Sequence, residues 1–160
     1  MASVSMRLVV AAARPMADVN DAVRARQIAG AARRVAVVGI RPDSLTDRAA
    51  TFVPAALAAD GVAIVPVPMP PGEATSYLGA APVSLADLAR GPRVDAVVIF
   101  KRPADLPPAA SIIACAPGAV WLQSGIRRPE WEAEVAAAGI PVVADRCIKV
   151  DRAAAKAARL

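Results

Sequence analysis

Five short runs of valine, isoleucine and alanine punctuate the chain, at residues 35–40, 62–67, 94–100, 119–123 and 141–145. None alternates cleanly between apolar and polar, so a strand formed from any of them is buried on both faces. Such strands belong to parallel sheets, whose neighbouring strands need a long crossover, usually a helix. Segments with helical punctuation separate the runs. The pattern predicts an α/β chain: a doubly wound, mostly parallel five-stranded sheet with helices on both faces. Its connections should be right-handed. A ligand of such a sheet lies beyond the carboxyl ends of the strands, where the strand order switches.

The intervening segments carry their own boundaries. A helix is expected over 19–34, with Asp18 or Asn20 as cap, Val19, Val23 and Ile28 on the apolar side, and four arginines toward water. Ser84 can cap a helix over 85–90, with Asp87 at its third position and Gly91 as its stop. Asp105 can cap a helix whose first turn holds Pro107 and Pro108. Pro129 opens a helix over 130–138 that Gly139 ends, with Trp131, Val135 and Ala138 as its buried stripe. A helix over 46–60 contains Pro54, which should kink or split it.

A length of 160 residues suggests one domain, placed over 18–150. Residues 151–160 read as an Ala-rich helical extension, packed on its own sheet or on a second copy. Residues 1–17 read as a loose tail or an over-extended start. Residues 6–13 resemble a secretory signal only faintly, because their apolar core is short.

Composition removes several chemistries. With 0 histidines there is no Ser-His-Asp triad, imidazole base, His-ligated metal or phosphohistidine. The 2 cysteines cannot build a Cys-rich zinc site or a disulfide framework. Two thiols without a credible signal make a reducing cytoplasm the default location. No apolar run approaches the ~20 residues of a membrane helix, so no membrane role is expected. The net charge of +5 suits an anionic ligand. It also permits nucleic-acid contact, but 3% aromatic content offers few stacking platforms. The arginines are spread along the chain, so no specific nucleic acid is expected.

Chemistry therefore rests on the loops after the strands. The first runs through Gly39, Ile40, Arg41, Pro42, Asp43 and Ser44 to Arg48. Helix-start amides, a glycine and two guanidiniums suit a phosphate; an ordinary turn capped by Asp43, Ser44 or Thr46 explains the same residues. Gly39 stands alone, without the further glycines of a dinucleotide fingerprint, and no P-loop lysine occurs. The second loop, 66–72, includes Pro68 and Met69. It is a stiff wall for a flat base, or simply a rigid turn. The third carries Phe100, Lys101 and Arg102, a phosphate contact or a solvated charged turn. At the fourth, Gln123 and Ser124 can donate and accept, while Trp121 belongs to the core. The fifth brings Cys147 between Arg146 and Lys149, a nucleophile or, more simply, a buried structural thiol. Cys115 reads as packing.

At this point the chain resembles the stand-alone CoA-binding proteins, similar to the Rossmann-like CoA-binding domain of the succinyl-CoA synthetase alpha subunit. The resemblance lies in VAVVG at 35–39, IVPVP at 64–68, YLG at 77–79 with VSL at 83–85, VDAVVIFKRP at 94–103, AVWLQ at 119–123 and DRCIK at 145–149. These pieces occur in family order and span about residues 21–150. The resemblance implies the fold and a non-covalent coenzyme A site. That site comprises the first loop, the end of the second strand and the Phe100–Lys101–Arg102 turn. It implies no catalytic residue. Relatives commonly have a Ser-rich first loop and Asn-Pro after the second strand, where this chain has Arg41 with Asp43, and Pro68-Met69-Pro70.

The residues themselves agree with a phosphate-rich ligand. Arg41, Arg48, Lys101 and Arg102 can meet phosphates, and a neutral pantetheine arm can lie along Gln123 and Ser124. The expectation is a CoA or acyl-CoA binding module without its own catalytic machinery, sensing, carrying or serving a protein partner. A homodimer is left open. Two alternatives stand beside it: an acyl-CoA or thiol-exchange enzyme using Cys147, and a binder of another adenine nucleotide.

Overall fold

The computed structural model of the protein describes residues 20–159. The expectations for residues 1–17, and for Asp18 and Val19, lie outside the described residues. In order, the elements are α1 (Ala22–Ala31), β1 (Arg34–Val38), α2 (Ala49–Ala59), β2 (Ala63–Val67), α3 (Leu85–Arg90) and β3 (Ala96–Ile99). A 3-10 turn (Pro103–Asp105) precedes α4 (Ala109–Ala114), β4 (Val120–Leu122), α5 (Pro129–Ala137), β5 (Val142–Val143) and α6 (Ile148–Ala157). The strands form one sheet of order β2-β1-β3-β4-β5, parallel at every pairing. The chain winds outward from β1 to β2, then returns to build β3, β4 and β5 on the other side. The carboxyl ends of β1 and β3 therefore flank the switch in strand order.

The uninterrupted apolar runs are explained by two cores. Val35 and Val37 of β1, Ala96 and Val98 of β3, Trp121 and Val143 face one core with Ala25, Ala29, Val53, Leu57 and Ile148. Ala36, Val38, Val97, Ile99, Val120, Leu122 and Val142 face the other, with Leu88, Ile112, Trp131 and Val135. Thus α1, α2 and α6 cover one face and α3, α4 and α5 the other. Each strand is shorter than its apolar run, so Ile40, Phe100, Gln123 and Asp145 fall in the loops that follow.

Several helix boundaries differ from expectation. Asp21, not Asn20, caps α1, accepting from Val23 N–H at 3.0 Å and from Arg24 N–H at 3.3 Å. Ala25 and Ala29 form its buried side, and Val23 is 65% exposed. Small residues win because α1 lies close against α6: a Cβ on Gly30 would sit 2.8 Å from the Cβ of Ala155. Arg34 belongs to β1, not the helix. The Ser84–Asp87 capping box on α3 is present as expected. Asp105 does not cap α4; it closes the 3-10 turn and holds Arg102, and Pro108 takes the cap position. Ala138 is exposed and lies past the end of α5, whereas Glu132 is buried and paired with Arg127 at 2.8 Å. Pro54 neither ends nor splits α2, which runs continuously from Ala49 to Ala59.

The last helix packs on its own chain, against α1 and α2. Arg152 caps α1 from outside, donating through Nη1 to the carbonyls of Ala29 and Ala32, each at 2.8 Å. Its Nε donates to Asp60 at 2.6 Å. At the same amino-terminal end of the sheet, Asp95 accepts from the N–H groups of Arg33 and Arg34 at 2.8 and 2.9 Å. Those backbone donors hold its carboxyl below the usual carboxylate range.

Candidate functional site

A cavity of about 830 Å³ opens beyond the carboxyl ends of the strands, at the switch in strand order. Its size is that of a small-molecule or cofactor site. Gly39, leaving β1, is its floor. The residue has φ of +81°, and a Cβ there would sit 2.7 Å from the Phe100 carbonyl and 2.9 Å from Cδ of Lys101. Both the backbone angle and this close approach require glycine. The first loop is thereby pressed against the third, and the cations of both line one cavity.

Of the residues expected from sequence, Gly39, Arg41, Arg48, Met69, Phe100, Lys101, Arg102 and Gln123 line the cavity. Ile40, Pro42, Asp43, Ser44 and Pro68 do not. Ile40 is buried in the core. Pro68 lines a smaller apolar cavity of about 330 Å³, next to Met69 and beneath Val83 and Leu85. Asp43 caps no helix: its carboxylate accepts from Leu78 N–H at 3.2 and 3.3 Å. Neither Ser44 nor Thr46 caps α2 either, because Arg48 occupies the cap position and no side chain bonds the first amides. Ala49 and Ala50, which open α2, therefore face the cavity with a helix N-terminus that suits an anion.

The cations are held in different ways. Arg41 Nε lies 3.2 Å from Glu73, and Lys101 Nζ donates to the Met69 carbonyl at 3.0 Å. Arg102 pairs with Asp105 at 2.7 Å and stays 86% exposed. Among the described residues, Arg48 has only a distant ion-pair partner, Asp47 at 4.0 Å. The last two are the most available to a ligand at the rim.

At the far side, Gln123 is buried with its side chain already bonded. Its Oε1 accepts from Ile148 N–H at 2.9 Å, and its Nε2 donates to Cys147 Sγ at 3.7 Å. Gln123 thus fixes the start of α6 and aligns the thiol. Cys147 is half-buried and lines the cavity, so it is not the buried structural thiol the sequence suggested. Cys115 is buried, and burial pushes its thiol pKa up. Asp145 has φ of +54° and accepts from Gly125 N–H at 2.6 Å, holding the fourth loop to the fifth. Trp121 is fully buried and donates to the Arg146 carbonyl at 2.7 Å.

Sequence reasoning missed Ala49, Ala50, Phe52, Val53, Pro103, Gly125 and Ile126 in the wall; Ser124, expected along a pantetheine arm, and Cys147, offered as the nucleophile of the alternative reading, both line it. Phe52 had a signal: a large aromatic in the first turn of a helix beside a cationic loop. It is 43% exposed, and Lys149 Nζ lies 5.7 Å from its ring centre. The alanines had none, since a methyl group carries no chemical signature. Among the described residues, no cluster of acidic or sulfur side chains could hold a metal ion, and no helix is long and apolar enough to cross a membrane.

Comparison with known proteins agrees with this geometry. The model of the CoA binding domain matches residues 33–153. Among solved structures, the chain is similar to a protein of Thermus thermophilus (cell-free ID.343), with 38% identity and a TM-score of 0.74, over 84% of this chain and 98% of that one. It shares its fold with a hypothetical protein from Pyrococcus horikoshii OT3, with 22% identity and a TM-score of 0.72, over 84% and 92% of the two chains. No curated protein matches. With the family model spanning the whole sheet and both sides of the cavity, the chain belongs to the CoA-binding domain family.

Proposed function

We propose that the protein binds coenzyme A or an acyl-CoA non-covalently in the large cavity, as a cytoplasmic binding module that senses, carries or serves a partner. The observation that carries this reading is the position of four cations, Arg41, Arg48, Lys101 and Arg102, around one cavity at the strand-order switch. The pyrophosphate lies against the open amides of α2 and the rim arginines. The 3′-phosphate takes a further cation of the same wall. The pantetheine arm runs toward Ser124 and Cys147, past the already bonded Gln123. Met69 and Phe100 supply the apolar surface that a flat base needs. Asp43, Ser44, Ile40, Pro42 and Pro68 support the wall from behind rather than touching the ligand.

Titration calorimetry on the purified protein tests this, with CoA, dephospho-CoA, NAD and ADP as titrants. CoA binding that is tighter than dephospho-CoA supports the reading, because it requires cations at the 3′-phosphate. No heat with CoA, or an equal response to every adenine nucleotide, overturns it in favour of another nucleotide. One observation favours a second reading: Cys147 Sγ lines the same cavity. In that reading its thiolate attacks an acyl-CoA thioester carbonyl, the C–S bond to CoA breaks as the new thioester forms, and the CoA thiolate leaves and takes a proton from water.

A further inference from the structure

Residues 69–78 follow β2, begin at the cavity wall with Met69 and are tied down at three points. Lys101 Nζ holds the carbonyl of Met69 at 3.0 Å. Arg41 Nε lies 3.2 Å from Oε2 of Glu73. Asp43 accepts from Leu78 N–H at 3.2 Å. Next to that last tie, Tyr77 is fully buried and exchanges backbone hydrogen bonds with Ala80. Two of the three ties are therefore made by cations of the cavity wall, and the middle one is made to a carboxylate.

From this arrangement, and resting on the reading that the cavity takes a phosphate-bearing ligand, we infer that Glu73 is an internal anion that sets the cavity's affinity and selectivity. The Glu73 carboxylate neutralises Arg41. A ligand phosphate on the same guanidinium competes with that carboxylate for its charge. The pair can be displaced because it is loosely held: Arg41 Nε is buried and near Glu73 without a hydrogen bond, and the two side chains are 41% and 31% exposed. Pairs so placed are weak and screened by salt. A doubly charged phosphate offers more charge and more acceptor oxygens than one carboxylate and wins the exchange. A monoanionic ligand gains little, so Glu73 selects for polyanions. The exchange also frees Glu73 and unties the middle of the 69–78 segment, while Asp43 and Tyr77 keep its far end in place. Occupancy of the cavity thus becomes visible on the outer surface.

The test uses the full chain and Glu73→Gln, which keeps size and removes charge. CoA and inorganic pyrophosphate are titrated separately at low ionic strength. Glu73→Gln is expected to bind both about two- to fivefold more tightly than the natural protein, the range of an exposed ion pair. The gain should fade with added salt and vanish in an Arg41→Ala background. A Glu-specific protease supplies a second readout: saturating CoA should speed cleavage after Glu73. Equal or weaker affinity of Glu73→Gln for pyrophosphate overturns the inference, whatever CoA does. A pyrophosphate gain without any CoA binding upholds it and overturns the CoA reading instead.

Discussion

The backbone N–H of Arg41 donates to the carbonyl of Ala50 at 3.1 Å. In an unbroken α-helix that carbonyl would take the N–H of residue 54. Residue 54 is proline and has none, so the acceptor is free for the loop. The proline that seemed to threaten α2 anchors the cation loop to it. Pro54→Ala restores a competing donor within the helix. Stability should change by less than about 1.5 kcal/mol, because better helix propensity offsets lost packing of a buried ring. CoA affinity should fall by about two- to tenfold as Arg41 loses sole use of its acceptor. Paired urea denaturation and calorimetry check this; a loss of stability with unchanged affinity would contradict it.

The rim arginines are expected to dominate affinity. Arg48→Ala and Arg102→Ala should each weaken CoA binding at least about tenfold, since a charged hydrogen bond contributes about 1.5–3 kcal/mol. Their effects should shrink at high salt, because both side chains are exposed. If both variants bind as the natural protein does, the site assignment fails.

The two thiols should separate by accessibility. Cys147 lines the cavity, whereas Cys115 is buried, and its Sγ donates to the Ser111 carbonyl at 3.3 Å. Burial also holds the Cys115 thiol in its neutral, unreactive form. In the native protein an alkylating agent should modify Cys147 alone, and CoA should slow that reaction. Cys115 should react only on unfolding. Mass spectrometry of the two peptides decides it. A Cys147 that resists until unfolding removes the thiol-exchange reading.

Asp60 predicts an acid-sensitive tether. Hydrogen bonds from Lys156 and Arg152 lower its pKa from 3.8 to about 2. A carboxyl whose folded pKa lies below its unfolded value stabilises the fold fully above the unfolded pKa. That contribution is lost as pH falls through the folded one. The stability difference between the natural protein and Asp60→Asn should therefore be constant above about pH 5 and shrink from pH 4 to 2. Urea denaturation at stepped pH measures it; a difference that ignores pH would show that Asp60 acts through packing alone.

Much of this was legible in the chain before folding. Valine-rich runs such as 35–38 can satisfy both faces only inside a parallel sheet, so layer order and crossover helices followed from local chemistry. Gly39, Lys101 and Arg102 were legible as neighbours around one cavity because they stand at strand ends, which the topology brings together. Ser84 and Asp87 declared their helix through a contact of three residues' span.

Local chemistry was enough for the fold class, the family and the end of the sheet at which the cavity opens. These depend on periodicity and on residues close in the chain. The tertiary structure alone decided which side chains remain available there. Glu73 meets Arg41, Asp43 meets Leu78, Gln123 meets Ile148 and Arg152 meets Ala29 across long stretches of chain. Such pairings depend on how the packed loops and helices lie against one another. No periodicity encodes them, and they divide the cations and amides that are committed to the fold from those left for a ligand.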